Sequence, residues 1–237
     1  MIKHYHSIET IAVIRSPFKE KFGIPRQSGL LPEHHCRVEM LPPFNTPDAF
    51  RALEGFSHLW LIFMFHQNLG HEWRPTIRPP RLGGNKRVGV FASRSSFRPN
   101  GLGLSVVKLE KICQSDGNLS LEISGADLID GTPIVDIKPY IAFVDALENT
   151  VAGYVEEAPG NRVGVHFSHA ARTALHRLDA NQYPSIEKLI TEALAKDPRP
   201  AYQRLQESRE YGMRLYDLNI RFKGYEHHIE VVSITKA

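Results

Sequence analysis

The sequence predicts a mainly β protein: a closed single-sheet β-barrel domain with a short helix, followed by a small α+β C-terminal domain. Three observations carry this expectation. Up to residue 147 the chain holds short apolar segments rich in β-branched, aromatic and leucine residues, separated by turn residues such as Asp116-Gly117-Asn118 and Asp130-Gly131-Thr132-Pro133. Long helices do not alternate with these segments, which argues against a doubly wound nucleotide-binding sheet. So many short strands would expose many edges, and closing the sheet removes them.

Taken in order, strands are expected in IETIAVIRS, CRVEML, SHLWLIFMFH, RVGVFAS, LSVVKLEKI, LSLEISGADLI and around PIVDIKPYIAF. One helix interrupts them: Thr46 is placed as N-cap, Pro47 as first helical residue and Asp48 as early acid, and Gly55 can end the helix. Periodicity then fades in a stretch of small and polar residues. This divides the chain into a barrel domain at 1–147, a linker at 148–162 and an α+β domain at 163–237. In the last unit a strand at 163–167 precedes a short helix opened by Ser168. A second helix follows Ser185, with Ile186, Leu189, Ile190, Ala193 and Leu194 on one face and Pro198 as its stop. The end of the chain reads as a hairpin around Lys223-Gly224, in which Leu218, Ile220 and Phe222 alternate as a half-buried strand requires.

Composition narrows the function. The 237 residues are 42% hydrophobic and 23% charged, and no apolar run approaches the ~20 residues of a membrane helix, so a soluble protein is expected. The first residues lack an apolar signal core, which makes the cytoplasm the default location. Cys36 and Cys113 cannot build a disulfide framework and match no zinc spacing, so both read as buried or bystander thiols. In His34-His35-Cys36, neighbouring strand residues point to opposite faces, and no metal site is expected there. Net charge is only +3, yet residues 74–98 carry seven Arg or Lys and no acid, a pattern open to two readings: a solvated basic loop or a cationic surface for phosphate or carboxylate.

Four stretches could carry chemistry. FASRSSFRPNGLGLS places Arg94 and Arg98 among four serine hydroxyls in a loop between two strands, where a rigid scaffold holds binding groups. It is neither a Walker loop nor a dinucleotide turn. DLIDGTPIVDIKPY gathers acids: Asp127 and Asp130 read as turn supports, while Asp136, next but one to Lys138, is the better functional acid. His66-Gln67 ends the apolar strand SHLWLIFMF, and Pro25-Arg26-Gln27 follows Gly23 in an exposed turn.

Together IRSPFKEKFGIPRQSG, LEGFSHLWLIFMFHQ, RPPRLGG, VGVFASRSSFRPNGLGLS, DLIDGTPIVDIKPY and DPRPAY resemble the bacterial tRNA methyltransferases that methylate N6 of threonylcarbamoyladenosine beside the anticodon. The resemblance spans residues 8 to about 147 and continues at DPRPAY. It implies an S-adenosyl-L-methionine-dependent enzyme on a β-barrel, working as a homodimer on the tRNA anticodon stem-loop. Carried onto matching positions, it implies cofactor contacts at Pro25, Arg26, Gln27, His66, Gln67, Arg94, Leu104, Asp130, Gly131, Thr132 and Pro133. One departure stands out: the family has Arg-Pro-Asn-Pro-Ile-Gly where this chain has Arg-Pro-Asn-Gly-Leu-Gly, so Gly101 is expected to loosen that turn.

Methyl transfer to nitrogen depends mainly on in-line positioning, with a base to remove the N6 proton. Asp136 or His66 is expected as that base, with Tyr140 as an orienting donor. Arg74, Arg78, Arg81, Lys86 and Arg98, joined by Arg199 and Arg204, are expected to hold the RNA through phosphates. The alternatives from sequence are a non-catalytic RNA-binding or S-adenosylmethionine-sensing barrel, and a methyltransferase acting on another small molecule or on protein.

Overall fold

A computed structural model describes residues 6–32, 34–115, 117–155, 163–199 and 209–237, with Arg81 described by its backbone alone. In chain order the first half forms β1 (Ala12–Arg15), β2 (His35–Met40), β3 (His58–Met64), the two-residue strands β4 (Thr76–Ile77) and β5 (Val88–Gly89), β6 (Leu102–Ser115), β7 (Asn118–Ser124) and β8 (Pro133–Pro139). Six of these close into an antiparallel barrel in the order β1-β2-β7-β6-β3-β8, so the expected fold class is the observed one. Strict alternation drives closure. Leu59, Leu61 and Phe63 of β3 meet Ile14, Val38, Leu121, Ile123 and Ile134 inside the barrel, and each such buried side chain contributes roughly 1.5–3 kcal/mol. Gly103 is required by this packing, because a Cβ there would overlap the Phe63 ring.

Three local expectations are corrected. The helix of 46–55 is two 3-10 turns, Pro47–Phe50 and Leu53–Gly55, split by an extended Arg51 and a left-handed Ala52, and the Thr46 side chain makes no cap bond. RVGVFAS is not a barrel strand: β5 pairs only with β4, and Val90–Ala92 turns as a 3-10 helix. Ser185 precedes its helix in a left-handed conformation (φ 52°) and does not cap it.

After the one-turn α1 (Ala142–Asp145), the second half builds β9 (Gly164–Phe167), α2 (His169–His176), α3 (Ile186–Ala195), β10 (Glu210–Leu215), β11 (Leu218–Gly224) and β12 (His228–Lys236). Their sheet runs β10-β11-β12-β9, with β9 parallel to β12. Ser168 caps α2 by accepting the Ala171 N–H at 3.1 Å, as the sequence suggests. The apolar face of α3 is buried in one core with Ile220, Phe222 and Val231.

This second core does not stop at the second half. Phe18 and Leu31, from the connection between β1 and β2, are buried in it. The same connection is pinned by a Tyr216 N–H to Pro17 carbonyl bond of 2.7 Å and by the Glu20 carboxylate, which accepts the Arg214 N–H at 3.0 Å. Residues 17–31 therefore form a strap anchored in both halves. Pro25, Arg26 and Gln27 lie on it.

Candidate active site

The strap, the loop after β5 and the exit of β7 meet at one end of the barrel. Arg94 donates from Nη1 to Gln27 Oε1, joining the serine-rich loop to the strap. Beneath them Asp127 Oδ1 accepts from Ser105 Oγ of β6 at 2.5 Å. Burial is the largest influence on Asp127 and raises its carboxyl pKa above the ordinary aspartate value, against the lowering effect of the Ser105 hydroxyl. Leu104, next to Ser105, keeps 52% of its surface exposed, which is high for an apolar residue in a barrel strand.

His66-Gln67 opens the 3-10 turn His66–Asn68 just beyond β3. Two bonds tie that turn to the loop of Arg94: Phe65 N–H to the Gly101 carbonyl at 2.8 Å, and Asn68 Nδ2 to Ser96 Oγ at 2.8 Å. Lys21 of the strap donates to Asn68 Oδ1 at 2.6 Å. Burial, and next the Lys21 charge, lower the His66 pKa, so its imidazole is neutral at pH 7. Gly101 takes a left-handed conformation in its turn. At φ +62° its N–H donates to the Arg98 carbonyl at 3.3 Å, a conformation and a bond that proline cannot supply.

The Asp130-Gly131-Thr132-Pro133 turn faces the start of the strap. Asp130 accepts the Ser16 N–H at 2.9 Å and pairs with Lys19 at 2.8 Å, and Gly131 N–H bonds the Ile14 carbonyl. Thr132 is buried and gives its hydroxyl to the Ile129 carbonyl, so its side chain holds the turn. Four separated motifs thus converge on one end of the barrel.

The comparisons with known proteins agree with this geometry. The profile of the tRNA-methyltransferase O N-terminal domain matches residues 13–146, and that of the tRNA-methyltransferase O C-terminal domain matches residues 160–237. The chain belongs to the tRNA-methyltransferase O family. It is 45% identical over 227 residues to the Escherichia coli tRNA (adenine(37)-N6)-methyltransferase, covering 95% of this chain and 96% of that one. It is 46% identical over 217 residues to a Pseudomonas aeruginosa protein named for S-adenosylmethionine-dependent methyl transfer, covering 92% of each. The crystal structure of the family's Pseudomonas aeruginosa member superposes with a TM-score of 0.81 at 38% identity, over 100% of this chain and 99% of that chain.

Within this family fold the three expected catalytic residues are not gathered. Asp136 sits opposite Ile62 on the outer face of the barrel, where it accepts the Ile137 N–H at 2.9 Å and pairs with Lys138 at 3.2 Å. Tyr140 packs on Trp60, 5.7 Å between ring centres, and its N–H bonds the His58 carbonyl, at the start of β3. His66 lies beyond the other end of that strand, about 20 Å away at 3.3 Å per residue. Tyr140 therefore cannot orient a group that His66 of the same chain deprotonates.

The basic residues also divide. Arg78 and Lys86 are exposed beside the β4-β5 ribbon. Arg74 lies 4.6 Å over the Phe97 ring, and Arg98 folds back to the Ser93 and Ser95 carbonyls at 2.9 and 3.4 Å, so Arg98 shapes its loop. Arg199 is only 1% exposed and paired with Asp197 at 2.8 Å, which overturns its expected phosphate contact. Arg204 and the side chain of Arg81 lie outside the described residues. Asp127, read from the sequence as a turn support, accepts the Ser105 hydroxyl of β6 at 2.5 Å and sits between Ala126 and Leu128, both buried.

Proposed function

We propose that this protein transfers a methyl group from S-adenosyl-L-methionine to N6 of threonylcarbamoyladenosine beside the tRNA anticodon. The observation that carries the reading is the hydrogen bond from Arg94 to Gln27, which joins two of the motifs shared with the family at one end of the barrel. The donor set suits the cofactor. A guanidinium and a carboxamide answer its carboxylate, a partly buried carboxylate answers its positive charge, and the exposed Leu104 offers an apolar surface to its adenine.

The bound cofactor supplies an activated methyl group on a sulfonium. This chain supplies position and a proton acceptor. Arg94, Gln27 and the backbone of the Asp130–Pro133 turn orient the pocket, and neutral His66 takes the proton from N6. Arg78, Lys86 and Arg74, with Arg81, draw the anticodon stem-loop through its phosphates. Two copies pair through Phe143, Leu147 and Val151, exposed at 90%, 73% and 90% in the single chain, and work in the cytoplasm.

The test is incubation with methyl-labelled S-adenosylmethionine and tRNA carrying or lacking the threonylcarbamoyl group. Label confined to the modified tRNA is the expected result. Equal labelling of both would refute the substrate, and cofactor binding without transfer would favour a sensing or RNA-binding barrel.

A further inference from the structure

We propose that Lys21 is a specificity residue for the threonylcarbamoyl group, its ammonium binding the substrate carboxylate beside the acceptor N6. The inference rests on the methyl-transfer reading above and deepens it. The modified base differs from adenosine by a threonine joined to N6 through a carbamoyl group, so it carries a carboxylate and a hydroxyl that adenosine lacks. A site that selects it needs a cation and neutral hydrogen-bonding groups near the residue that takes the N6 proton, His66 in the reading above.

The strap builds such a corner. Lys21 Nζ donates to Asn68 Oδ1 at 2.6 Å, and Asn68 Nδ2 donates to Ser96 Oγ at 2.8 Å. The strap, the His66–Asn68 turn and the serine-rich loop therefore meet at one carboxamide. Lys21 is exposed, and this bond neutralises none of its charge. Nearby acids are committed elsewhere: Glu20 accepts the Arg214 N–H at 3.0 Å, and Asp130 pairs with Lys19 at 2.8 Å. An ammonium has three N–H donors, so two remain for a carboxylate after Asn68 takes one. Ser96 accepts from Asn68 and keeps its own O–H for the second carboxylate oxygen. Arg94 is bonded to Gln27, and Arg98 to the Ser93 and Ser95 carbonyls; among the described residues, Lys21 is the cation bonded to the His66 turn. After burial, its charge is the next influence lowering the His66 pKa, in keeping with a cation close to the imidazole.

The experiment measures methyl transfer by the full-length protein and its Lys21→Gln and Lys21→Arg variants at saturating S-adenosylmethionine. The acceptor is tRNA whose threonylcarbamoyl carboxylate is intact or converted to its methylamide. The methylamide keeps the shape of the group and loses its charge, and Lys21→Gln keeps a donor for Asn68 and loses the cation. The proposal expects Lys21→Gln to lower kcat/KM on the intact tRNA by about tenfold, the worth of one charge-assisted hydrogen bond at an exposed site. The methylamide should cost the wild type a similar factor and cost Lys21→Gln little more, while Lys21→Arg recovers most of the rate. Calorimetric titration should give one S-adenosylmethionine Kd for all three proteins. Equal losses by Lys21→Gln on both tRNAs would mark a merely structural lysine and overturn the proposal. A wild type that methylates both tRNAs equally well overturns it too, and leaves the methyl-transfer reading standing. A wild type that methylates neither overturns that reading and this proposal with it.

Discussion

Two arginines in stretches that resemble the family's motifs sit in opposite surroundings in this molecule. In the second half Asp197 and Arg199 are both buried, 3% and 1% exposed, joined at 2.8 and 3.3 Å, with Arg199 also donating to the Tyr225 carbonyl at 3.1 Å. At the barrel end Arg94 is exposed and donates to the neutral Gln27 side chain. The buried pair consumes its charges in the fold, and Gly224 makes room for it, since a Cβ there would overlap the guanidinium. Arg94 instead keeps its cation at the surface. An arginine in a motif-like stretch can therefore serve packing, as Arg199 does, or stand free of a carboxylate at the end of the barrel, as Arg94 does.

Breaking the structural pair should give the largest effect. Arg199→Ala strands the Asp197 carboxylate and is expected to cost about 3–5 kcal/mol of stability, read by denaturant unfolding, with loss of the second core and the strap it grips. If stability were unchanged, the contrast between the two arginines would collapse. Removing His66, the proposed proton acceptor, comes next. His66→Ala should slow turnover by about 10²-fold or more while cofactor affinity stays near wild type. Because the His66 pKa lies below the ordinary 6.5, wild-type turnover should be flat near neutrality and fall only at lower pH as the imidazole protonates.

Arg94→Ala should spare the fold, as judged by its melting temperature, and raise the cofactor KM by about 10- to 100-fold, the loss expected for the one charge-assisted hydrogen bond proposed between Arg94 and the ligand. The smallest effect belongs to the ribbon. Arg78→Ala with Lys86→Ala should weaken tRNA binding across sequences and reduce the salt dependence by roughly one logarithmic slope unit for each phosphate that is no longer neutralised. An unchanged salt slope would return those residues to the status of a solvated loop.

Much of the barrel was legible because alternation is a local property: β2, β3, β6, β7 and β8 lie largely within the apolar segments picked from the sequence. RVGVFAS shows the limit. Its residues have strand propensity, but a strand needs a partner, and only Val88–Gly89 finds one. The helix expected from Thr46-Pro47-Asp48 fails for a related reason, since its capping signals are followed by a left-handed Ala52 that the sequence does not announce. In the site, the motifs that converge were visible one by one, whereas the bond from Arg94 to Gln27 joins positions distant in the chain. Tyr140, close to Asp136 in sequence, is removed from His66 by the length of β3, a separation that one-dimensional proximity conceals.

The central claim is that the outward-facing charge at the barrel end serves methyl transfer to one modified adenosine. Its most direct test is nucleoside mass spectrometry of tRNA methylated by the wild-type protein and by Arg94→Ala. The account predicts a single product, heavier than threonylcarbamoyladenosine by one methyl group in place of a hydrogen, with the methyl on N6, formed far more slowly by the variant at limiting cofactor. A methyl group on any other nucleoside, or equal rates for the two proteins, would contradict it.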